Sequence, residues 1–160
     1  MIFGLGRHPP PVIRPLRADK AEACARLHRQ DFAHPWSEED LAALLRDASA
    51  LAAAALDPAS GHVRGFIVSR LAADESEILT IAVDTSERGK GIGRSLLREN
   101  LRQAANAGAR AMFLEVDAAN VPALALYRRE GFAQVGERPG YYRLANGQRA
   151  TALIMRKGLP

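Results

Sequence analysis

Apolar residues recur along the chain with two periods, one near 3.6 and one of 2, and the changes between them mark its elements. A short apolar run over 12–16 predicts a strand, and the spacing over 18–31 predicts a helix with Ala21, Cys24, Ala25 and His28 on one face. After a loop through Trp36, Ser37 and Asp40 form a capping box ahead of a second helix whose Leu41, Leu44 and Leu45 face inward. Strands follow over 49–56, 63–71 and 77–83, separated by Asp57-Pro58-Ala59-Ser60-Gly61 and by the weaker turn Ala72-Ala73-Asp74, which predicts an antiparallel meander. A long helix over 91–107 puts Ile92, Leu96, Leu97, Leu101, Ala104 and Ala105 on one side, with Arg94, Arg98, Arg102 and Gln103 mostly on the other. The remainder reads as a strand over 111–117, a helix over 120–130 with Asn120 as N-cap and Gly131 as C-cap, and strands near 132–137 and 150–157.

Composition narrows the class. With 160 residues, 48% of them apolar, the chain can bury the core of one domain over 12–160, preceded by a flexible, proline-ended tail over 1–11. A net charge of +4 favours acidic partners, a phosphate-bearing coenzyme or a ribonucleoprotein surface, and equally describes an ordinary soluble surface. The basic residues are scattered without interleaved aromatics, so direct nucleic-acid binding is not expected. No apolar run approaches the roughly 18 residues that span a bilayer, and the tail is too polar for a secretory signal. The expectation is a cytoplasmic protein with no membrane attachment and no metal; a monomer is plausible, and the sequence leaves the oligomeric state open. Cys24, the only cysteine, excludes an intramolecular disulfide and reads as a buried thiol.

The richest chemistry lies between Ile78 and Gly93, where an apolar strand breaks into a basic, glycine-rich turn that opens onto the long helix. Gly89, Gly91 and Gly93 permit positive φ and close backbone approach. Arg88, Lys90 and Arg94 add charge, and the helix start adds unpaired amides and the positive end of its dipole. This combination suits an anionic diphosphate. Neither G-x-x-x-x-G-K-[ST] nor G-x-G-x-x-G is present; the turn reads Arg88-Gly89-Lys90-Gly91-Ile92-Gly93. That [QR]-x-x-G-x-G pattern, after a strand ending Ala82-Val83-Asp84, resembles the pyrophosphate loop of GCN5-related N-acetyltransferases. The later string Leu114-Glu115-Val116, Asn120, Ala123, Ala125-Leu126-Tyr127, Gly131-Phe132 resembles the second half of the same core.

Within that superfamily the chain is most similar to the RimI-type enzymes that acetylate a ribosomal protein's N-terminal alanine, through His34-Pro35-Trp36-Ser37, residues 78–83, the second string, and Gly140-Tyr141-Tyr142 with Ala152-Leu153-Ile154-Met155. The resemblance implies an α/β (α+β) fold, a mixed, mostly antiparallel central sheet of about seven strands flanked by about four helices. It implies acetyl-CoA as cosubstrate, held by the turn (Arg88 to Arg94, Ile92 included), by the main chain of Ile81, Ala82 and Val83, and by Asn120 and Tyr127. A ribosomal protein's N-terminus is the implied acceptor.

Acetyl transfer from a thioester to an amine needs a neutral amine, a positioned carbonyl and a proton for the departing sulfur. Glu115, a carboxylate in an otherwise apolar strand where burial would raise its pKa, is the candidate base, through a water; by pattern alone the solvent-facing strand residue is the favoured reading, and the resemblance reverses that in favour of the base. Tyr127 is the candidate acid, or else a core tyrosine on its helix. Trp36, Tyr141 and Tyr142 line the acceptor groove or pack the core, and Glu75, with Asp74 and Glu77, is the obvious acidic supply for a cationic acceptor. Two departures bear on the acceptor: Arg149, Ala150 and Thr151 stand where an acidic residue is usual, and Asp117 stands where arginine is common. Two other readings stay open, acetylation of a small amine such as an antibiotic or polyamine, and a non-catalytic acyl-CoA-binding module.

Overall fold

Alternation in the alanine-rich strand builds the middle of the molecule. The structure, a computed structural model describing residues 8–160, contains β1 (Val12–Pro15), α1 (Ala21–Asp31, entered through a 3-10 turn), α2 (Glu38–Arg46), β2 (Ala50–Leu56), β3 (Val63–Ala72) and β4 (Glu75–Val83). These are followed by α3 (Ile92–Asn106), β5 (Ala111–Asp117), α4 (Val121–Arg129), β6 (Ala133–Arg143) and β7 (Arg149–Gly158). The strands form one sheet in the order β1-β2-β3-β4-β5-β7-β6, antiparallel except where β4 meets β5. Ala52 and Ala54 of β2, with Phe66 and Val68 of β3, pack against α1 and α2. Ala53, Ala55 and Ile67 pack against α3 and α4 on the opposite face. Small side chains on both faces let helices approach from both sides. Gly65 contributes most to that approach: a Cβ there would sit 3.1 Å from Leu96 and 3.2 Å from Ile92.

One inserted residue shapes the rest. Val68 opposes Thr80 while Ser69 opposes Ile78, so Leu79 is a β-bulge in β4. The insertion reverses the alternation: Ile78 lies on the α3 face, Ala82 on the α1 face, and Ile81 and Val83 return to the α3 face. Below the bulge, Glu75, Ser76 and Glu77 pair with β5; above it, that ladder ends. β5 meanwhile stays paired with β7 as far as Asp117. A wedge therefore opens between the C-terminal halves of β4 and β5.

Two expectations are corrected. β6 does not stop near 137 but runs to Arg143, because Arg138 opposes Ala152 and Tyr142 opposes Ala150, leaving Pro139, Gly140 and Tyr141 bulged against one residue. Gly140 takes φ 62 there, and its carbonyl accepts a hydrogen bond from Arg149 at 3.3 Å. On α3, Gln103 turns inward: its amide donates to the Ala52 carbonyl at 2.8 Å, beside Asn100, which donates to Leu51 at 3.1 Å. Of the tail expected over 1–11, residues 1–7 lie outside the described residues, and the Pro9 carbonyl accepts a 2.8 Å hydrogen bond from buried Arg64. Among the described residues no helix is long and apolar enough to cross a membrane. Cys24 is buried, and burial pushes its thiol up to about 12, which leaves it inert at neutral pH.

Candidate active site

The glycine turn is pinned from α1. Thr85 N–H donates to Gln30 at 3.1 Å, and Arg88 pairs with Asp31. Gly89 and Gly91 adopt φ 75 and 85, and a Cβ on either would meet open space, so conformation rather than crowding requires glycine. Gly91 is the N-cap of α3 and offers no side-chain cap; the first intrahelical bond runs from Ser95 N–H to its carbonyl. The N–H groups of Ile92, Gly93 and Arg94 thus have no partner within the helix. An open, amide-lined concavity at a helix start fits a diphosphate. The cationic side chains of the turn each meet a carboxylate. Arg88 meets Asp31, Lys90 meets Glu87 at 3.4 Å, and Arg94 meets Glu130 at 2.7 Å. Glu130 also takes Arg98 at 3.0 Å, which chiefly holds its carboxyl below the usual range. Because Glu130 serves both Arg94 and Arg98, the turn keeps one cation in excess, which adds to the attraction of the amides for an anion. Gly93 faces Leu126 of α4 and Val83 of β4, so the rims of the wedge meet at this glycine.

Ile81, Ala82 and Val83 form the β4 rim, beyond the point where β5 pairs with it. Opposite, Asn120 caps α4 by accepting from Ala123 N–H at 3.3 Å. Tyr127 sits two turns further along α4, 6% exposed, with its ring edge-on to Phe132 at 5.8 Å. Burial first, and Tyr142 second, push its phenol up to about 12. It therefore stays protonated across the neutral range, and among the described residues its hydroxyl makes no hydrogen bond.

Met112, Leu114 and Val116 fill the α3 side of β5, which turns Glu115 to the other face. Its surroundings are not the apolar ones expected: Arg138 of β6 pairs with its Oε1 at 3.1 Å. Tyr142 is half-buried, and its phenol is raised by burial, then by Glu115, Tyr141 and Asp117, against Arg138. Those groups share one neighbourhood, in which Arg138 lies 5.1 Å over the Tyr141 ring and the two tyrosines meet edge-on. Asp117, one of the two departures, accepts from Ala119 N–H at 2.8 Å and shapes the turn into α4; Arg149, the other, braces the bulge at Gly140.

Trp36 reaches the same side through α1. Its backbone N–H donates to His28 Nδ1 at 3.1 Å, and the imidazole stacks on both Phe32 and Trp36. Burial lowers the His28 pKa, against Asp31, so Nδ1 remains an acceptor at neutral pH. Trp36 lines a hollow of about 360 Å³ with Asp40, Leu44, Arg70 and the bulged Leu79. Glu75 is not brought to this group. It lines a second hollow with Arg70, Glu77 and Phe113, and it pairs with Ala111, four residues before Glu115 and so about 13 Å away along the strand. Sequence reasoning missed Arg138, Gln30, Asp31 and Glu130. Each acts across more than twenty residues, and no local pattern marks its partner.

Comparison with known proteins gives a family model, Acetyltransferase (GNAT) family, that matches residues 21–132. The [ribosomal protein bS18]-alanine N-acetyltransferase of Escherichia coli is 30% identical over 144 residues, covering 90% of this chain and 95% of the relative. An uncharacterized protein of Mycobacterium leprae is 38% identical over 92% of this chain, which spans only 41% of that relative's length. Among solved structures, the ribosomal-protein-S18-alanine N-acetyltransferase from Escherichia coli superposes with a TM-score of 0.84 at 29% identity, covering 92% of this chain and 93% of that one.

Proposed function

The chain belongs to the GNAT acetyltransferase family and is an acetyl-CoA-dependent N-acetyltransferase, and we propose that its acceptor is the N-terminal α-amine, alanine foremost, of a ribosomal protein. The observation that supports this most is the wedge between β4 and β5, with an amide-lined turn at one rim and Glu115 and Tyr127 at the other. The relative that matches nearly end to end carries that acceptor in its name.

Acetyl-CoA, when bound, supplies the acetyl thioester. The amides of Ile92, Gly93 and Arg94 would hold its diphosphate, and the free main-chain edge of Ile81 to Val83 would align its arm along β4. Glu115, directly or through a water, takes a proton from the acceptor amine. At pH 7 deprotonating an α-amine costs about 1 kcal/mol, against about 4–5 kcal/mol for a lysine, so a modest base suffices for a protein N-terminus. Tyr127 donates toward the departing sulfur. With a phenol near 12 and a thiol reference near 8.5, complete transfer is uphill, so Tyr127 acts chiefly by hydrogen bonding to the developing charge. Transfer is direct, and the only thiol of the chain, Cys24, is buried away from it.

The test is release of coenzyme A when the protein meets acetyl-CoA and either an alanine-initiated ribosomal peptide, spermidine or an aminoglycoside. Preference for the peptide is expected. Turnover confined to the small amines would move the function to small-molecule acetylation, and binding without turnover would leave a coenzyme-binding module.

A further inference from the structure

The ion pair between Arg138 and Glu115 is unexpected beside a base, because a carboxylate that must accept a proton already faces a guanidinium at 3.1 Å. Arg138 reaches it across β7: it pairs with Ala152, which pairs with Asp117, so it stands on the same face of the sheet as Glu115. Pro139, Gly140 and Tyr141 crowd against Thr151, Arg149 holds the Gly140 carbonyl, and the Tyr141 ring lies 5.1 Å from the Arg138 guanidinium. The Arg138 side chain is 51% exposed and that of Glu115 is 22% exposed, so an incoming acceptor meets the two together.

We propose that Arg138 is a positioning residue that makes this site selective for amines arriving neutral, favouring protein N-termini over lysine side chains and polyamines. The inference rests on Glu115 being the base. A bare carboxylate would draw any ammonium group. Paired with Arg138, it presents almost no net charge at the distance of an approaching acceptor, because attraction to one partner is offset by repulsion from the other. The remaining charged neighbours come as one carboxylate and one guanidinium, Asp117 held to the Ala119 amide and Arg149 held to the Gly140 carbonyl, and Tyr142 and Tyr127 are phenols raised above their ordinary range. A neutral amine needs only an acceptor for its N–H, and the partly exposed Glu115 carboxylate has more lone pairs than one contact with Arg138 uses. About a tenth of an α-amine is neutral at pH 7, against fewer than about one in a thousand lysine amines. Arg138 thus turns a difference in acceptor protonation into a difference in binding.

The experiment compares wild type, Arg138→Gln and Arg138→Lys on two peptides, one alanine-initiated and lysine-free, the other N-terminally blocked with one internal lysine, and on spermidine. Acetyl-CoA affinity, measured by calorimetry, checks that each variant is folded. The expected result is that Arg138→Gln lowers the α-amine to lysine ratio of kcat/KM by about tenfold, chiefly through a lower KM for the cationic amines, and that Arg138→Lys restores most of it. A ratio unchanged in Arg138→Gln overturns the inference and leaves the proposed function standing. A wild type that turns over no α-amine peptide overturns both.

Discussion

Glu115 and Tyr127 carry opposite demands, and their surroundings differ accordingly. Glu115 is kept on the open face of β5 beside a cation, whereas Tyr127 is enclosed in the α3-side core and rises to about 12. If Glu115 is the base, Glu115→Gln lowers kcat by about a hundredfold or more while leaving acetyl-CoA affinity within about twofold, since general base catalysis contributes at that scale. Single-turnover kinetics beside calorimetry reads both; full activity at neutral pH would remove Glu115 from the chemistry. Tyr127 makes a separate prediction about stability. Its phenol titrates near 10 in the unfolded chain and near 12 in the fold, so the folded state holds the proton more tightly. Its contribution is fully present below pH 10 and is lost as pH rises towards 12, by an amount on the order of 2–3 kcal/mol. Urea unfolding at pH 8 and pH 11 should show a smaller alkaline loss in Tyr127→Phe than in wild type. Equal losses would mean that the phenol is less enclosed than its packing against Phe132 indicates.

At the scale of elements, the turn before α3 is the most specialised piece. Gly91 caps the helix at φ 85 with nothing within 4 Å of a Cβ, so Gly91→Ala costs about 1–2 kcal/mol through backbone conformation alone. Both thermal stability and acetyl-CoA affinity should fall in that variant, the second by more than the first if the αL geometry aims the amides. Affinity unchanged at reduced stability would assign the glycine to folding only. Local signals made much of this legible: the Ser37–Asp40 capping box closes α2 as its spacing predicts, and Asn120 and Gly131 bound α4. Features that depend on partner strands were not legible. Leu79 looks like any strand residue, yet as a bulge it ends the β4–β5 ladder and opens the wedge. Pro139-Gly140 looks like a strand end, yet β7 carries pairing past it and puts Tyr142 on the same face as Arg138 and Glu115. The cations of the glycine turn were visible, but their carboxylate partners on α1 and at the end of α4 were not.

Across the whole molecule, the two faces of the sheet divide the labour. α3 and α4 close the core beneath the wedge, while α1 and α2 cover only the first half of the other face and leave β5, β7 and β6 open beside Trp36. α1 touches both sides of the proposed reaction, holding the glycine turn through Gln30 and Asp31 and the Trp36 loop through His28. An acceptor entering along the open face would meet Glu115 and Arg138 together. The most direct measurement uses one peptide that carries both a free N-terminal alanine and an internal lysine, incubated with the protein and acetyl-CoA, with the product fragmented by mass spectrometry. A single acetyl group on the alanine α-amine is the predicted result; acetyl on the lysine, or an unmodified peptide from protein that binds acetyl-CoA, would contradict the account.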